Sequence, residues 1–214
     1  MALFVTGISI FWSQHQNQVQ ENAAKHLTQS AEQVKKNSKK NQAQQMKNPN
    51  KVKPTPYDES DQVERLSWQD YLDFQNSADE KKILQQYAVG TIEIPSISLT
   101  LPIIEATTNS HLKAGATTFW KDQSLSKGNY VLLGHNMGRK GILFSDVPHL
   151  KKGNHIKIRT GAKLFTYHVT EIKKVNQKQT DVLEQSEKRQ LTLITCDKRT
   201  STENRIVIVA EPIH

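Results

Sequence analysis

The sequence predicts a mainly β protein, a closed or nearly closed β-barrel with a few short helices behind a polar N-terminal segment. Three observations predict it. From Val89 onward about seven or eight short apolar segments follow one another, several alternating apolar and polar residues with period two. Turn signals such as Gly153-Asn154 and Gly161 separate them, and long helical patterns are missing between them, as in an all-β barrel. Hydrophobic content of 36% with a mean hydropathy of -0.64 over 214 residues suits one modest domain plus a good deal of polar chain.

Met1 to Trp12 is an apolar stretch of twelve residues, whereas a membrane-spanning helix needs about 20. It lacks the basic flank and cleavage site of a signal peptide. The expectation for 1–12 is part of a transmembrane anchor with Trp12 at the outer interface; a short buried or disordered tip is the alternative. Residues 13–60 read as a polar stalk. Ser13 to Lys53 holds 15 Gln or Asn and eight Lys against two acidic residues, Glu21 and Glu32. Such chain is expected to bury too little apolar area to order itself. Val19, Ala23, Leu27 and Val34 nevertheless fall at helical spacing, so a surface helix continuing from the anchor is the other reading, ended by Pro49, Pro54 and Pro56.

Residues 61–88 form a helical segment expected to pack on the outside of the domain. Leu66, Tyr71, Leu72, Phe74, Ile83, Leu84 and Tyr87 suit one or two short amphipathic helices, with Ser67 as N-cap and Gly90 as a stop. Residues 89–214 are the barrel. Val89 to Ile104 reads as two strands on either side of Pro95, with prolines at strand ends or bends. Asn109 to Lys113 reads as a helical turn and Ala114 to Trp120 as a connection or strand. Asn129 to Gly134 is a buried-type strand. His155 to Thr160, Lys163 to Val175, Leu191 to Cys196 and Arg205 to Glu211 complete the set.

A net charge of +8 suits a nucleic acid or an anionic membrane or wall polymer. A polybasic nucleic-acid arm is disfavoured, because no Phe, Tyr or Trp lies between Trp12 and Tyr57 to stack on bases. The single cysteine, Cys196, excludes an intrachain disulfide framework and a cysteine-based zinc cluster. Free cysteine is usually a buried small hydrophobe, yet Cys196 ends the apolar run Leu191 to Thr195 just before a polar loop. A thiol working as a nucleophile needs a proton partner and an oxyanion donor. His135 also follows an apolar strand and opens a polar loop. Arg205 opens the last strand, one eight-residue loop after Cys196, and stands near the thiol if the two strands are hairpin neighbours. A surface arginine paired with Glu203 or Glu211 is its plainer reading, and Arg199 is the competing cation.

The Thr192 to Cys196 run T-L-I-T-C, the Leu133 to Asn136 run L-G-H-N, an arginine opening the next strand and the opening G-T-I-E-I-P-S-I-S-L-T-L-P-I resemble a class A sortase. The resemblance covers about Val89 to Ile213. It implies a closed eight-stranded sortase-type barrel on a stalk, anchored by a single pass in the cell membrane of a Gram-positive bacterium with the catalytic domain outside. It implies cleavage of Leu-Pro-X-Thr-Gly signals of surface proteins between Thr and Gly, through a thioester, and transfer to an amine of the cell-wall precursor lipid II. Cys196 would then be the nucleophile, His135 the acid and base, and Arg205 the substrate-orienting cation, with Thr195 and Asp197 at the oxyanion. Leu133, Val182, Leu183, Thr192 and Ile194 match the family's substrate-binding positions, and ordinary core is the competing reading for the apolar ones. Some class A members bind calcium. Glu184 matches one ligand position, but Trp120-Lys121-Asp122-Gln123 offers one carboxylate beside a lysine, and a hard cation wants several oxygens. No cofactor and calcium-independent activity are expected. A cysteine endopeptidase and a noncatalytic envelope-binding protein are the alternatives.

Overall fold

The computed structural model describes residues 2–45, 63–120 and 123–213. It begins with one helix, α1 (Ala2–Gln45), followed by α2 (Trp68–Phe74) and α3 (Ala78–Tyr87). Ser67 caps α2 by accepting the Asp70 N–H at 3.1 Å, and Ser77 caps α3 by accepting that of Glu80 at 3.1 Å. Eight strands follow, interrupted by the short helix α4 (Asn109–Ala114): β1 (Ala88–Ile94), β2 (Leu99–Ile104), β3 (Ala116–Thr118), β4 (Asn129–Leu133), β5 (His155–Thr160), β6 (Lys163–Asn176), β7 (Gln190–Cys196) and β8 (Asn204–Pro212).

The strands close into a barrel in the order β1-β2-β3-β4-β7-β8-β6-β5. Most neighbours are antiparallel, but β4 and β7 run parallel with Leu133 opposite Ile194, so both strands deliver their C-terminal ends to the same rim. Side chains alternate across the sheet. Leu191 and Leu193 join Ile92, Ile94, Leu101 and Tyr167 in the main core. Ile194, from the opposite face of β7, joins Val131, Val175 and Val207 in a second apolar cluster.

Three local expectations need correction. The expectation that the Gln-rich stretch cannot order itself fails over 13–45, because it folds as part of α1. Ala23, Leu27, Ala31 and Val34, three or four residues apart, lie 1–4% exposed, and α1 packs along β1 and β2. A narrow apolar stripe suffices when the barrel supplies the other half of the interface. The remainder of the expected stalk, 46–60, lies outside the described residues, and no described helix is long and apolar enough to cross a membrane. Gly90 is not a helix stop: α3 ends at Tyr87, and Gly90 sits beside a register shift in β1, where a Cβ would come 2.4 Å from the Arg159 carbonyl oxygen. Pro102 lies inside β2 opposite Thr91. It is tolerated there because pairing with β3 starts only at Ile103, leaving that edge of β2 without a ladder partner to satisfy.

Candidate active site

The C-terminal rim of β4 and β7 opens on a cavity of about 640 Å³ whose wall includes His135, Cys196 and Arg205. Register brings the three together. Cys196 ends β7 opposite Arg205 at the start of β8, so both side chains leave the sheet on one face. His135 lies two residues past Leu133, whose partner Ile194 lies two residues before Cys196, so the parallel alignment carries the imidazole to the thiol's end of the sheet. Cys196 is half-buried and not in a disulfide.

His135 keeps part of its surface open to the cavity, but the packed rim around it removes most of its water. Burial, helped by the positive charge of Lys113 on α4, pulls its pKa down to about 4. The imidazole is therefore neutral at pH 7 and able to accept a proton. Arg205 pairs with neither Glu203 nor Glu211 in the way a plain surface arginine would. Its guanidinium donates to the Thr202 and Asn204 carbonyls at 3.2 and 3.1 Å and to Gln177 Oε1 at 2.7 Å. These bonds fix the fork at the cavity wall. Arg199 and Lys198 line the same wall, so the cavity is cationic as well as thiol-bearing.

The two expected oxyanion donors both hold hydrogen bonds within the protein. The Thr195 hydroxyl is buried and donates to the Gly134 carbonyl at 2.7 Å. The Asp197 N–H donates to the Asn204 carbonyl at 3.3 Å. The Asp197 carboxylate lies 2.7 Å from Lys174 Nζ, and that hydrogen bond, with a further one from Thr202, holds its pKa below the ordinary carboxylate range.

Among the expected substrate-binding positions, Leu133 and Ile194 line the cavity. Val182 and Leu183, on a 3-10 turn at Asp181–Leu183, pack with them in the outer apolar cluster without reaching the cavity wall. Thr192 does not face a groove. It is 1% exposed, and its hydroxyl donates to Asn129 Oδ1 at 2.7 Å. Asn129 in turn donates to the Val182 and Glu184 carbonyls at 3.3 and 3.0 Å, so Thr192 pins the loop that carries Val182 and Leu183.

Other residues join the site that the sequence reading did not assign. The stretch Val63 to Leu66, just before α2, forms part of the cavity wall, held by the Glu64 N–H donating to Asn109 Oδ1 at 2.8 Å. Lys113 acts on His135 through its charge, and Gln177 holds Arg205. None of these carries a local sequence signal, since each arrives from a different element. Asn136 had one, its place directly after His135. Among the described residues no group of three or more His, Cys, Asp or Glu side chains could hold a metal ion. Asp122, the carboxylate of the Trp120 to Gln123 stretch, lies outside the described residues.

A profile described as the sortase domain matches residues 92–213, more than half of the chain. The chain is 38% identical over 135 residues to sortase A of Bacillus anthracis, covering 63% of this chain and 62% of that protein. It is 40% identical over 123 residues to sortase A of Listeria monocytogenes, covering 58% of this chain and 55% of that protein. The chain thus spans less than two thirds of these relatives. The solved structure of Listeria monocytogenes sortase A superposes with a TM-score of 0.59 at 38% identity, covering 60% of this chain and 88% of the other. Barrel order, the shared rim of His135, Cys196 and Arg205, and the match over nearly all of the barrel agree: this chain belongs to the sortase family.

Proposed function

We propose that this protein is a cysteine transpeptidase that cleaves Leu-Pro-X-Thr-Gly signals between Thr and Gly and transfers the acyl group to an amine of lipid II. The observation that carries the reading is one cavity holding the chain's single thiol, a neutral imidazole and a fixed guanidinium. Cys196 Sγ attacks the Thr carbonyl carbon while neutral His135 takes the thiol proton. The tetrahedral oxyanion forms beside Arg205, whose permanent charge suits it. As the C–N bond breaks, His135 gives its proton to the departing glycine amine, leaving a thioester on Cys196. The incoming amine attacks that thioester and His135 accepts its proton; as the C–S bond breaks, His135 returns that proton to the departing Cys196 sulfur, restoring the thiol and the neutral imidazole.

The apolar cluster of Leu133, Ile194, Val182 and Leu183 suits the Leu-Pro part of the signal. Thr195 and Asp197 would serve the oxyanion only after exchanging their present hydrogen bonds for the substrate. The partners are surface proteins bearing the signal and lipid II. The location is the outer face of the cell membrane, anchored through the N-terminal segment, whose first residues are apolar. Activity needs no calcium or other cofactor.

Mass spectrometry of the protein incubated with a Leu-Pro-X-Thr-Gly peptide is expected to find the acyl group on Cys196. With an added glycine-type amine the product carries that amine; hydrolysed product alone would make the protein an endopeptidase. A Cys196→Ala protein that still cleaves the peptide would refute the mechanism.

A further inference from the structure

We propose that Asn136 is a positioning residue that sets the placement of Cys196 relative to His135, an inference that rests on the transpeptidase reading above. The last backbone hydrogen bond recorded between the β4 chain and β7 runs from the Gly134 N–H to the Ile194 carbonyl at 3.1 Å. It ends short of both His135 and Cys196. Beyond it the chains diverge into two loops, and the His135 carbonyl turns away to accept the Phe144 N–H at 2.9 Å. Two side chains take over from the ladder. The Thr195 hydroxyl donates across to the Gly134 carbonyl at 2.7 Å, on the near side of the reacting pair. Asn136 Nδ2 donates back to the Cys196 carbonyl at 2.9 Å, on the far side. The imidazole and the thiol sit between these two staples.

The Asn136 amide is itself oriented. Its Oδ1 accepts the Gly138 N–H at 2.9 Å, an Asx-type turn that leaves Nδ2 aimed at β7. Gly138 has φ +61, and a Cβ there would meet Arg199 Cβ at 3.1 Å, so the turn is packed against the loop that follows Cys196. The peptide after the nucleophile is therefore held at both ends, by Asn136 on its carbonyl and by the 3.3 Å bond from the Asp197 N–H to Asn204. The second bond is long, so Asn136 is the firmer hold. Without it the Cys196–Asp197 unit is free to turn, and a thiol misplaced by a fraction of an ångström loses its alignment with His135 and the bound carbonyl.

Asn136→Ser separates this role from general stability. A serine oxygen still accepts the Gly138 N–H, but the hydroxyl is too short to reach the Cys196 carbonyl. Asn136→Ala removes both bonds. Steady-state transpeptidation of a Leu-Pro-X-Thr-Gly peptide with an added amine is expected to show kcat reduced about tenfold or more in Asn136→Ser, with KM within about twofold and the melting temperature unchanged. Asn136→Ala is expected to lose at least as much. A kcat within about twofold of wild type in Asn136→Ser overturns the proposal. So does a loss accompanied by a fall of more than about 5 °C in Tm, which marks a merely structural residue. Alkylation of Cys196 by a small neutral reagent, read by mass, needs no substrate. If wild-type protein forms no acyl-enzyme, the transpeptidase reading fails by itself and alkylation decides: an altered pH profile in Asn136→Ser supports the positioning role, and an unchanged one overturns it.

Discussion

A thiol and an imidazole at one rim become useful chemistry through the state of the imidazole. Enclosure by protein and the charge of Lys113 pull His135 down to about 4, so an NMR titration of its ring should show the midpoint well below the ordinary value of about 6.5. The unfolded chain then takes up this proton first. His135 costs no stability above about pH 6.5, and stability falls as pH drops from there toward 4. Urea unfolding of wild type and His135→Gln between pH 4 and 7 should show the glutamine variant losing less stability on acidification; parallel profiles would remove His135 as the cause. Thr192 illustrates a residue that the family resemblance put at the substrate while its surroundings point to architecture. Thr192→Val leaves Asn129 Oδ1 without its buried donor and should cost about 1–3 kcal/mol in urea unfolding. A loosened 177–189 loop should accompany it, read as faster amide exchange.

At the scale of elements, α1 is where local composition misleads most. Most of its described glutamines and lysines are exposed, and the stripe of Ala23, Leu27, Ala31 and Val34 meets β1 and β2. The docking has a polar component too. Gln75 Nε2 donates to the Ala23 carbonyl at 3.1 Å, and the buried Glu80 carboxylate lies 3.4 Å from His26 Nε2. Burial raises the Glu80 pKa even so. Its ionisation therefore works against folding, and this cost appears as pH rises through the raised pKa. Leu27 is fully buried among Tyr71 and the barrel core. Leu27→Ala should lower unfolding stability by about 2–4 kcal/mol and expose α1 to limited proteolysis. A variant as stable and as resistant as wild type would mean that the helix contributes no net stability to the barrel.

For the molecule as a whole, closure of the barrel places a hairpin pair, β7 and β8, beside a parallel neighbour, β4, and the site lies where their ends meet. Activity at that rim is expected to be independent of calcium. Adding calcium to chelated protein should leave kcat/KM within about twofold, and a strong rate increase would overturn that expectation. Much of this was legible beforehand. Period-two alternation located the strands because one face of each must be apolar, and the Cys196 to Arg205 pairing followed from a short loop joining adjacent strands. The place of His135 at a strand end was legible as well, since an apolar run stops there. What sequence could not supply was long-range: that β4 lies parallel to β7, that Val63 to Leu66 border the cavity, that the charge of Lys113 acts on His135, and that the Thr195 and Asp197 donors are already engaged. Local patterns report which residues prefer a pleated or buried setting, because that preference is a property of each side chain and its near neighbours. Which donors remain free, and which charges act on His135, depend on groups tens of residues apart in sequence, and only the closed barrel brings them within hydrogen-bonding and Coulomb range.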